Sequence, residues 1–245
     1  MKHATVRREI SARFKPFLDE ILGRYQDKIH SIHIVGSALT DDYDPQSSDI
    51  NSVFVLHAMD FVLLAGLAPL GKKYGKKGIA APLIMTPSYI VNSLDVFPLE
   101  FLNIKMLHTT VFGSDIWQGM EIRRPDLRQQ CERELKVKLI GLRQGYIASS
   151  GNRRLLTDGF VKSFSGYLPL FKGIITLLGR EAPPDSDQIL ATLEEVTGVD
   201  TGVFKIVLRL KREKTKSSGE QLNTIFEDYY KAVEKLGEIT DALEA

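Results

Sequence analysis

Asp49 and Asn51 are the two side chains of this sequence that are best placed to bind a ligand or a metal ion. They stand at the start of a short, β-branched apolar run, Ile50 to Leu56, which predicts a strand. Residues two apart on a strand point to the same face, so both side chains are expected to converge on one point. Their carboxylate and amide oxygens are hard ligands, of the kind that Mg²⁺ takes up together with substrate phosphates.

A second polar feature, Gly36-Ser37, lies upstream at the end of another predicted strand. Ile32 and Ile34 alternate with polar residues there, which is the pattern of a half-buried strand that stops at a turn. Glycine permits a close approach of the backbone to a ligand, and the Ser37 hydroxyl can donate a hydrogen bond to phosphate. The pair is therefore a candidate phosphate-binding turn.

The elements that must position these residues form the stretch IHIVGSALTDDYDPQSSDINSVFVL, residues 32 to 56. It resembles the signature of the DNA polymerase beta-type nucleotidyltransferase superfamily: a hydrophobic strand, Gly-Gly or Gly-Ser, a spacer, then two acids separated by one hydrophobic residue. The resemblance covers roughly residues 28 to 118. It implies an α+β chain, with a nucleotidyltransferase fold (a small mixed sheet flanked by helices) followed by a C-terminal all-helical bundle domain.

The resemblance also implies a reaction, in which a nucleoside monophosphate passes from a nucleoside triphosphate to an acceptor hydroxyl with release of pyrophosphate. Mg²⁺ or Mn²⁺ would be the cofactor, Asp49 a ligand of both metal ions, and Gly36 with Ser37 the cradle of the triphosphate. Family members place a third acid on a neighbouring strand. The candidate here is Glu100, within a predicted strand over Asp95–Leu107, and Asp95 is the alternative.

Asn51 departs from the family pattern, because it stands where the second acid is expected. A neutral carbonyl oxygen attracts a hard cation less than a carboxylate does. Two hypotheses stay open: a metal-dependent nucleotidyltransferase with Asn51 as a weakened ligand, or a nucleotide-binding or regulatory protein that has lost turnover. Asp41, Asp42 and Asp44 in the spacer lack the glycine and the terminal glutamate of a calcium-binding EF-hand loop, so we expect a solvated acidic loop.

The composition limits the classes of binding partner that are expected. The 245 residues include 32 Lys and Arg against 31 Asp and Glu, so no overall positive charge draws the chain to nucleic acid or to an anionic membrane. A small molecule or a protein is therefore the expected acceptor rather than long nucleic acid, although the superfamily acts on antibiotics, metabolites, nucleic-acid ends and protein side chains. The polar start MKHATVRREI lacks the apolar core of a signal peptide, which predicts a cytoplasmic protein.

Helices are predicted on both sides of the stretch from residue 32 to residue 56. Apolar residues at three- and four-residue spacing predict a helix over residues 4 to 26, and from about Pro125 only helices are predicted, four or five of them. We place the domain boundary near residue 118, giving domains 1–118 and 119–245. The run Gly71 to Gly78 is interpreted as a solvated turn or a basic flap over phosphate. The helical domain can bury its apolar faces internally or in a homodimer, and both states stay open.

Overall fold

The computed structural model describes residues 7–213 and 219–244. Two compact units emerge from its internal contacts. The first unit holds the residues up to Leu94 together with Phe101–Glu121, and the second holds Asp95–Glu100 and the residues from Ile122 onward. In the part of the chain that is described, no helix is both long and apolar enough to cross a membrane.

The first unit is built on a four-stranded mixed sheet with the strand order β3-β2-β1-β4. β1 (Ile29–Val35) pairs antiparallel with β2 (Asn51–Leu56) and with β4 (His108–Gly113), while β3 (Leu83–Met85) runs parallel to β2. The strands predicted around Ile32 and over Ile50 to Leu56 are thereby confirmed. The expected α+β fold class is confirmed as well.

Two helices cover one face of this sheet, α1 (Arg8–Tyr25) and α2 (Phe61–Gly75). The apolar stripe of α1 is buried, and its Phe17 ring packs against Phe54 of β2 at 5.9 Å and against Tyr74 of α2 at 5.0 Å between ring centroids. Burying such aromatic side chains contributes about 1.5–3 kcal/mol each to folding. The predicted helix over residues 4 to 26 is thus confirmed over its described part.

The basic run after Leu70 is largely helix rather than a free flap. Tyr74 is buried, and its hydroxyl donates to Pro16 O at 3.0 Å and lies 2.8 Å from Glu20 Oε2. Lys73 pairs with the same Glu20 carboxylate at 2.7 Å. These contacts hold the end of α2 against α1. Only the tight turn from Lys76 to Gly78 lies beyond the helix, so the basic run is not a free flap.

The predicted strand over Asp95–Leu107 is wrong. Most of that segment is helix α4 (Pro98–Met106), and the strand β4 begins only at His108. The buried side chains Leu99 and Leu102 lie three residues apart, as do Phe101 and Ile104, which is the spacing of a helix face. The apolar density of the run suggested a buried strand, whereas Pro98 suits the first turn of a helix.

Helices alone form the remainder of the second unit, as predicted, but the described residues contain six of them rather than four or five. Its interior is rich in aromatic side chains: the Phe204 ring lies 4.9 Å from both Phe171 and Tyr229. The sequence also predicts a break between helices at Lys216-Ser217-Ser218-Gly219, which falls largely outside the described residues. The helices are α5 (Arg124–Ser149), α6 (Arg153–Phe164), α7 (Leu168–Leu177), α8 (Ser186–Thr197), α9 (Gly202–Glu213) and α10 (Gly219–Asp241).

A buried polar cluster lies on the other face of the sheet. His33 of β1 is fully buried, with Nδ1 2.9 Å from Thr110 Oγ1 and Nε2 2.8 Å from Ser31 Oγ. The His33 ring also packs edge-on against Trp117 at 5.6 Å and against His108 at 6.0 Å. Hydroxyl groups can donate or accept, so a neutral His33 ring is fully satisfied there.

His108 differs from His33 because acceptors face both of its ring nitrogens. Nδ1 lies 3.0 Å from Ile104 O, and Nε2 lies 3.0 Å from a carboxylate oxygen of Asp115. The hydrogen bond from His108 and a second one from the Trp117 amide hold the pKa of Asp115 below its ordinary value, although burial opposes them.

Acid is expected to destabilise the fold through His33. Burial, aided by the electrostatic effect of the neighbouring His108, lowers the pKa of His33 from its ordinary value of 6.5 to about 4. Below about pH 6.5 His33 is protonated in the unfolded chain but stays neutral in the folded chain. The free energy of unfolding therefore decreases as the pH falls. Between about pH 7.5 and about pH 5 this linkage removes about 2 kcal/mol, measurable by urea unfolding. His33→Gln should abolish that share of the loss, and an unchanged pH dependence would contradict the assignment.

Candidate functional site

The register of the sheet brings the two polar motifs to one edge. Val35, the last residue of β1, pairs with Asn51, the first residue of β2, and also with His108 of β4. Gly36-Ser37 therefore leaves the sheet beside the point where Asp49 enters it. An antiparallel pair joined by a loop necessarily places the end of one strand beside the start of the next. The resemblance of residues 32 to 56 to the nucleotidyltransferase signature implies the same grouping.

Gly36 starts the turn in a conformation that favours glycine, with φ +76°. Its amide donates to Leu107 O at 3.0 Å, and residues Gly36–Leu39 form one turn of 3₁₀-helix. No atom outside the neighbouring residues lies within 4 Å of the place where a Cβ would stand, so the backbone at Gly36 borders open space. The Ser37 side chain is exposed beside it. Both features suit a group that approaches the turn from solvent.

Asp49 and Asn51 are both exposed, and the residue between them explains why. Ile50 is fully buried, its amide donates to Gly78 O at 2.8 Å, and its carbonyl accepts from the Ala80 amide at 3.1 Å. With Ile50 fixed inward, its two neighbours project to the opposite side of the strand. The carboxylate and the amide therefore share one exposed face at the edge next to Gly36.

The spacer loop before Asp49 is ordered by its own side chains. Asp44 accepts hydrogen bonds from the Gln46 amide at 3.0 Å and from the Ser47 hydroxyl at 2.5 Å, so its carboxylate closes a turn. Its carbonyl accepts from the Ser48 amide at 2.8 Å. Tyr43 is buried in the core beneath the loop. The acidic residues here serve a turn rather than an ion-binding loop.

The structure places Glu100 on helix α4, within the residues that belong to the second unit. Its Oε2 accepts from Gln130 Nε2 at 2.7 Å, and Gln130 Oε1 in turn accepts from the Leu99 amide at 2.8 Å. Because Gln130 is buried, this chain of hydrogen bonds orients the exposed Glu100 carboxylate. Asp95, the alternative, lies in the exposed turn before α4.

Carboxylates are scarce around the sheet. None of the four strands contains Asp or Glu, so a third acid on a strand next to β2 is absent from the described residues. Among those residues there is also no group of three or more His, Cys, Asp and Glu side chains that could hold a metal ion. The donor set of the motif at the start of β2 is thus one carboxylate, Asp49, and one amide oxygen, Asn51.

This donor set fits one hard cation that arrives with a triphosphate. Mg²⁺ commonly binds through one or two carboxylates and completes its shell with substrate phosphates and water. Asp49 supplies the carboxylate and Asn51 a neutral oxygen, while the open turn at Gly36-Ser37 leaves room for phosphates beside them. A second ion would need further anionic oxygens, and the strands provide none.

Sequence reasoning overlooked Arg13 of α1, which binds Tyr43 and Pro45 of the spacer loop. Its signal was weak, because an arginine beside the buried stripe of a helix is usually a solvated charge. No ligand partner stands near His33 or His108 in the sequence, which predicts packing or surface roles for them, and both are buried. Cys131 lies on the apolar stripe of α5, which predicts a core residue without chemistry; it is fully buried, and burial raises the pKa of its thiol to about 12.

Comparison with known proteins finds a likeness among solved structures. No family model and no curated protein matches the sequence. Among solved structures, the chain is similar to a spectinomycin adenyltransferase of Enterococcus faecialis, determined with ATP and spectinomycin. The TM-score is 0.53 at 14% sequence identity, and the match covers 92% of this chain and 98% of the other. This chain has the nucleotidyltransferase fold.

The likeness extends beyond the sheet, because it covers nearly the whole of both chains. It therefore includes the helical residues after β4 as well as the strands that carry the motif. At this level of identity it establishes the fold alone. The chemistry of the site depends on the residues described above.

Proposed function

We propose that the chain binds a nucleoside triphosphate with Mg²⁺ or Mn²⁺ at the edge formed by Gly36, Ser37, Asp49 and Asn51. We further propose that it transfers the nucleoside monophosphate to an acceptor hydroxyl. The observation that carries the proposal is the pairing of Val35 with Asn51, which sets an open glycine turn beside an exposed carboxylate. The nucleotidyltransferase fold, shared with an adenyltransferase solved with ATP, supports it. Membership of the DNA polymerase beta-type superfamily is part of the same proposal.

Each residue has a role in this reaction. The Ser37 hydroxyl and the backbone at Gly36 bind the triphosphate, Asp49 holds the metal ion, and Asn51 contributes a neutral oxygen to it. The metal ion supplies positive charge that neutralises the phosphates and the leaving pyrophosphate. Glu100 is the proposed base that accepts the proton of the acceptor hydroxyl and the proposed third metal ligand, with Asp95 as its alternative.

The acceptor is proposed to be a small molecule or a protein side chain. A net charge of +1 offers no broad attraction to a long polyanion. The spectinomycin adenyltransferase was solved with an antibiotic, which makes hydroxylated small molecules a reasonable first group of acceptors to screen. In this proposal residues 1–118 bind the nucleotide and the helical domain, residues 119–245, selects the acceptor. A homodimer remains an open alternative to a monomer.

A second candidate function, nucleotide binding without transfer, is favoured by the shortage of carboxylates. Asn51 replaces an acid, and no strand of the sheet contributes another. A site with one carboxylate can still capture a metal–triphosphate complex, since the phosphates supply the other anionic oxygens. In that case the chain would still bind the metal–triphosphate complex. It would lack the further carboxylates needed to hold the metal charge that stabilises the transition state of transfer.

Isothermal titration of ATP, GTP, CTP and UTP tests the binding that both candidates share. We expect at least one triphosphate to bind wild-type protein with Mg²⁺ and not with EDTA. Asp49→Ala should weaken that binding at least about tenfold, because it removes the one anionic ligand of the edge. Asp19→Ala, which removes an exposed acid from α1, is the matched control. Metal-independent binding, or equal binding by Asp49→Ala, would reject the proposed site.

A further inference from the structure

Arg13 on helix α1 joins three backbone segments that converge near Asp49. Its Nη1 donates to the Tyr43 hydroxyl at 2.8 Å and to Pro45 O at 3.3 Å, both in the spacer loop. Its Nε donates to Lys77 O in the turn after α2. A planar guanidinium can serve several acceptors in fixed directions, which a lysine ammonium cannot do.

The contacts of Arg13 flank Asp49 on both sides. Tyr43 and Pro45 precede it in the spacer loop, and Lys77 adjoins Gly78, whose carbonyl accepts from the amide of Ile50. Asp49 lies directly before Ile50, in the loop and outside β2, so the pairing of the strands does not fix it. Its position is therefore set by the loop on one side and by the Gly78 turn on the other.

Gly78 shows how closely the guanidinium fits against this turn. A Cβ at Gly78 would stand 2.1 Å from Arg13 Nη2, and the backbone there has φ +67°. Any other residue would thus displace the arginine as well as strain the turn. Arg7, the residue directly before α1, supports the start of the loop, where its Nη2 donates to Thr40 O at 3.0 Å.

We propose that Arg13 is a positioning residue that holds the Asp49 loop in the conformation that binds the metal–triphosphate complex. The inference rests on the proposed nucleotide site and extends it to a side chain on α1. Arg13 acts through the loop, since its three acceptors are the Tyr43 hydroxyl and two backbone carbonyls. Without it, the spacer loop keeps the turn closed by Asp44 and the contact of Arg7 with Thr40 O, but it loses the link between Tyr43, Pro45 and the Gly78 turn.

Amide hydrogen exchange and MgATP titration together test this role. Arg13→Ala is expected to speed exchange about tenfold at the amide of Ile50, which donates to Gly78 O, since loss of hydrogen bonds makes local opening easier. Exchange in α1 and β1 should stay at the level of Lys15→Ala, a matched loss of a cation from the same helix. Arg13→Lys should behave like Arg13→Ala, because a lysine cannot reach all three acceptors in the required directions.

The affinity for MgATP separates positioning from simple stabilisation. In folded Arg13→Ala the Kd for MgATP should rise about fivefold to tenfold. If Arg13 only stabilised the fold, its removal would lower the midpoint of urea unfolding and leave that Kd unchanged. Unchanged exchange around Ile50, or an unchanged Kd, overturns the inference. If wild-type protein binds no MgATP, the proposed function fails, and the exchange data alone then decide whether Arg13 holds the loop.

Discussion

Asn51→Asp is expected to tighten the binding of Mg²⁺ with the triphosphate by roughly 30-fold. The added carboxylate places one more negative charge about 4 Å or less from a dication, worth about 2 kcal/mol even in water-like surroundings. Asn51 is exposed and begins β2, so an aspartate of nearly the same shape fits there without disturbing the buried Ile50. Titration of Mg²⁺ against a fixed concentration of ATP measures the change.

The same substitution separates the two candidate functions. If the site is a weakened transferase, pyrophosphate release in the presence of a screened acceptor should rise with metal affinity in Asn51→Asp. A protein that only binds nucleotide would gain affinity without gaining transfer. Asn92→Asp, at an exposed turn after α3 (Pro87–Val91), adds the same charge elsewhere in the first unit and is expected to change neither quantity. An unaltered metal affinity in Asn51→Asp would show that the position binds no cation.

The edge of the sheet was predictable because its geometry follows from short-range rules. A strand that stops at Gly36, a loop and a strand that starts near Asn51 form an antiparallel pair, and such a pair closes the loop ends together. Alternation then places Asp49 and Asn51 on the face opposite the buried Ile50. Each of these steps needs only neighbouring residues, so the sequence contained enough information.

Helix α4 was not predictable in the same way. Five of the nine residues from Pro98 to Met106 are Leu, Phe, Ile or Met, and their close spacing masks the helical period. A run of that kind fits a buried strand or a buried helix equally well by pattern alone. The contact of Glu100 with Gln130, 30 residues later, was beyond any reading of local periodicity.

The contacts of Arg13 show a second limit of pattern reading. Its partners lie 30 to 64 residues away in the sequence, and one of them is the carbonyl of a lysine whose own charge attracted attention instead. The basic run was interpreted from its side chains, while the structure uses its backbone. Long-range hydrogen bonds to carbonyls leave no trace in residue type.

Glu100→Gln is expected to reduce transfer about 100-fold or more, measured in the Asn51→Asp background where the metal site is strongest. Positioned acid–base groups contribute on the order of 10²–10⁴ in rate. Glutamine at this position keeps an oxygen that can accept from Gln130 Nε2, so the local structure should survive. The Kd for MgATP should change much less than the rate, because the proton is transferred only during the reaction.

Asp95→Asn provides the comparison that decides between the two candidate acids. Asp95 lies in an exposed turn, whereas the buried Gln130 amide orients the Glu100 carboxylate. A base must be held in place to remove a proton efficiently, so Glu100 is the better candidate and Asp95→Asn should retain transfer. If Asp95→Asn abolishes transfer and Glu100→Gln does not, the roles are reversed. If neither substitution lowers a measurable rate, the base is a residue outside this segment, and the hydrogen bond to Gln130 serves the second unit alone.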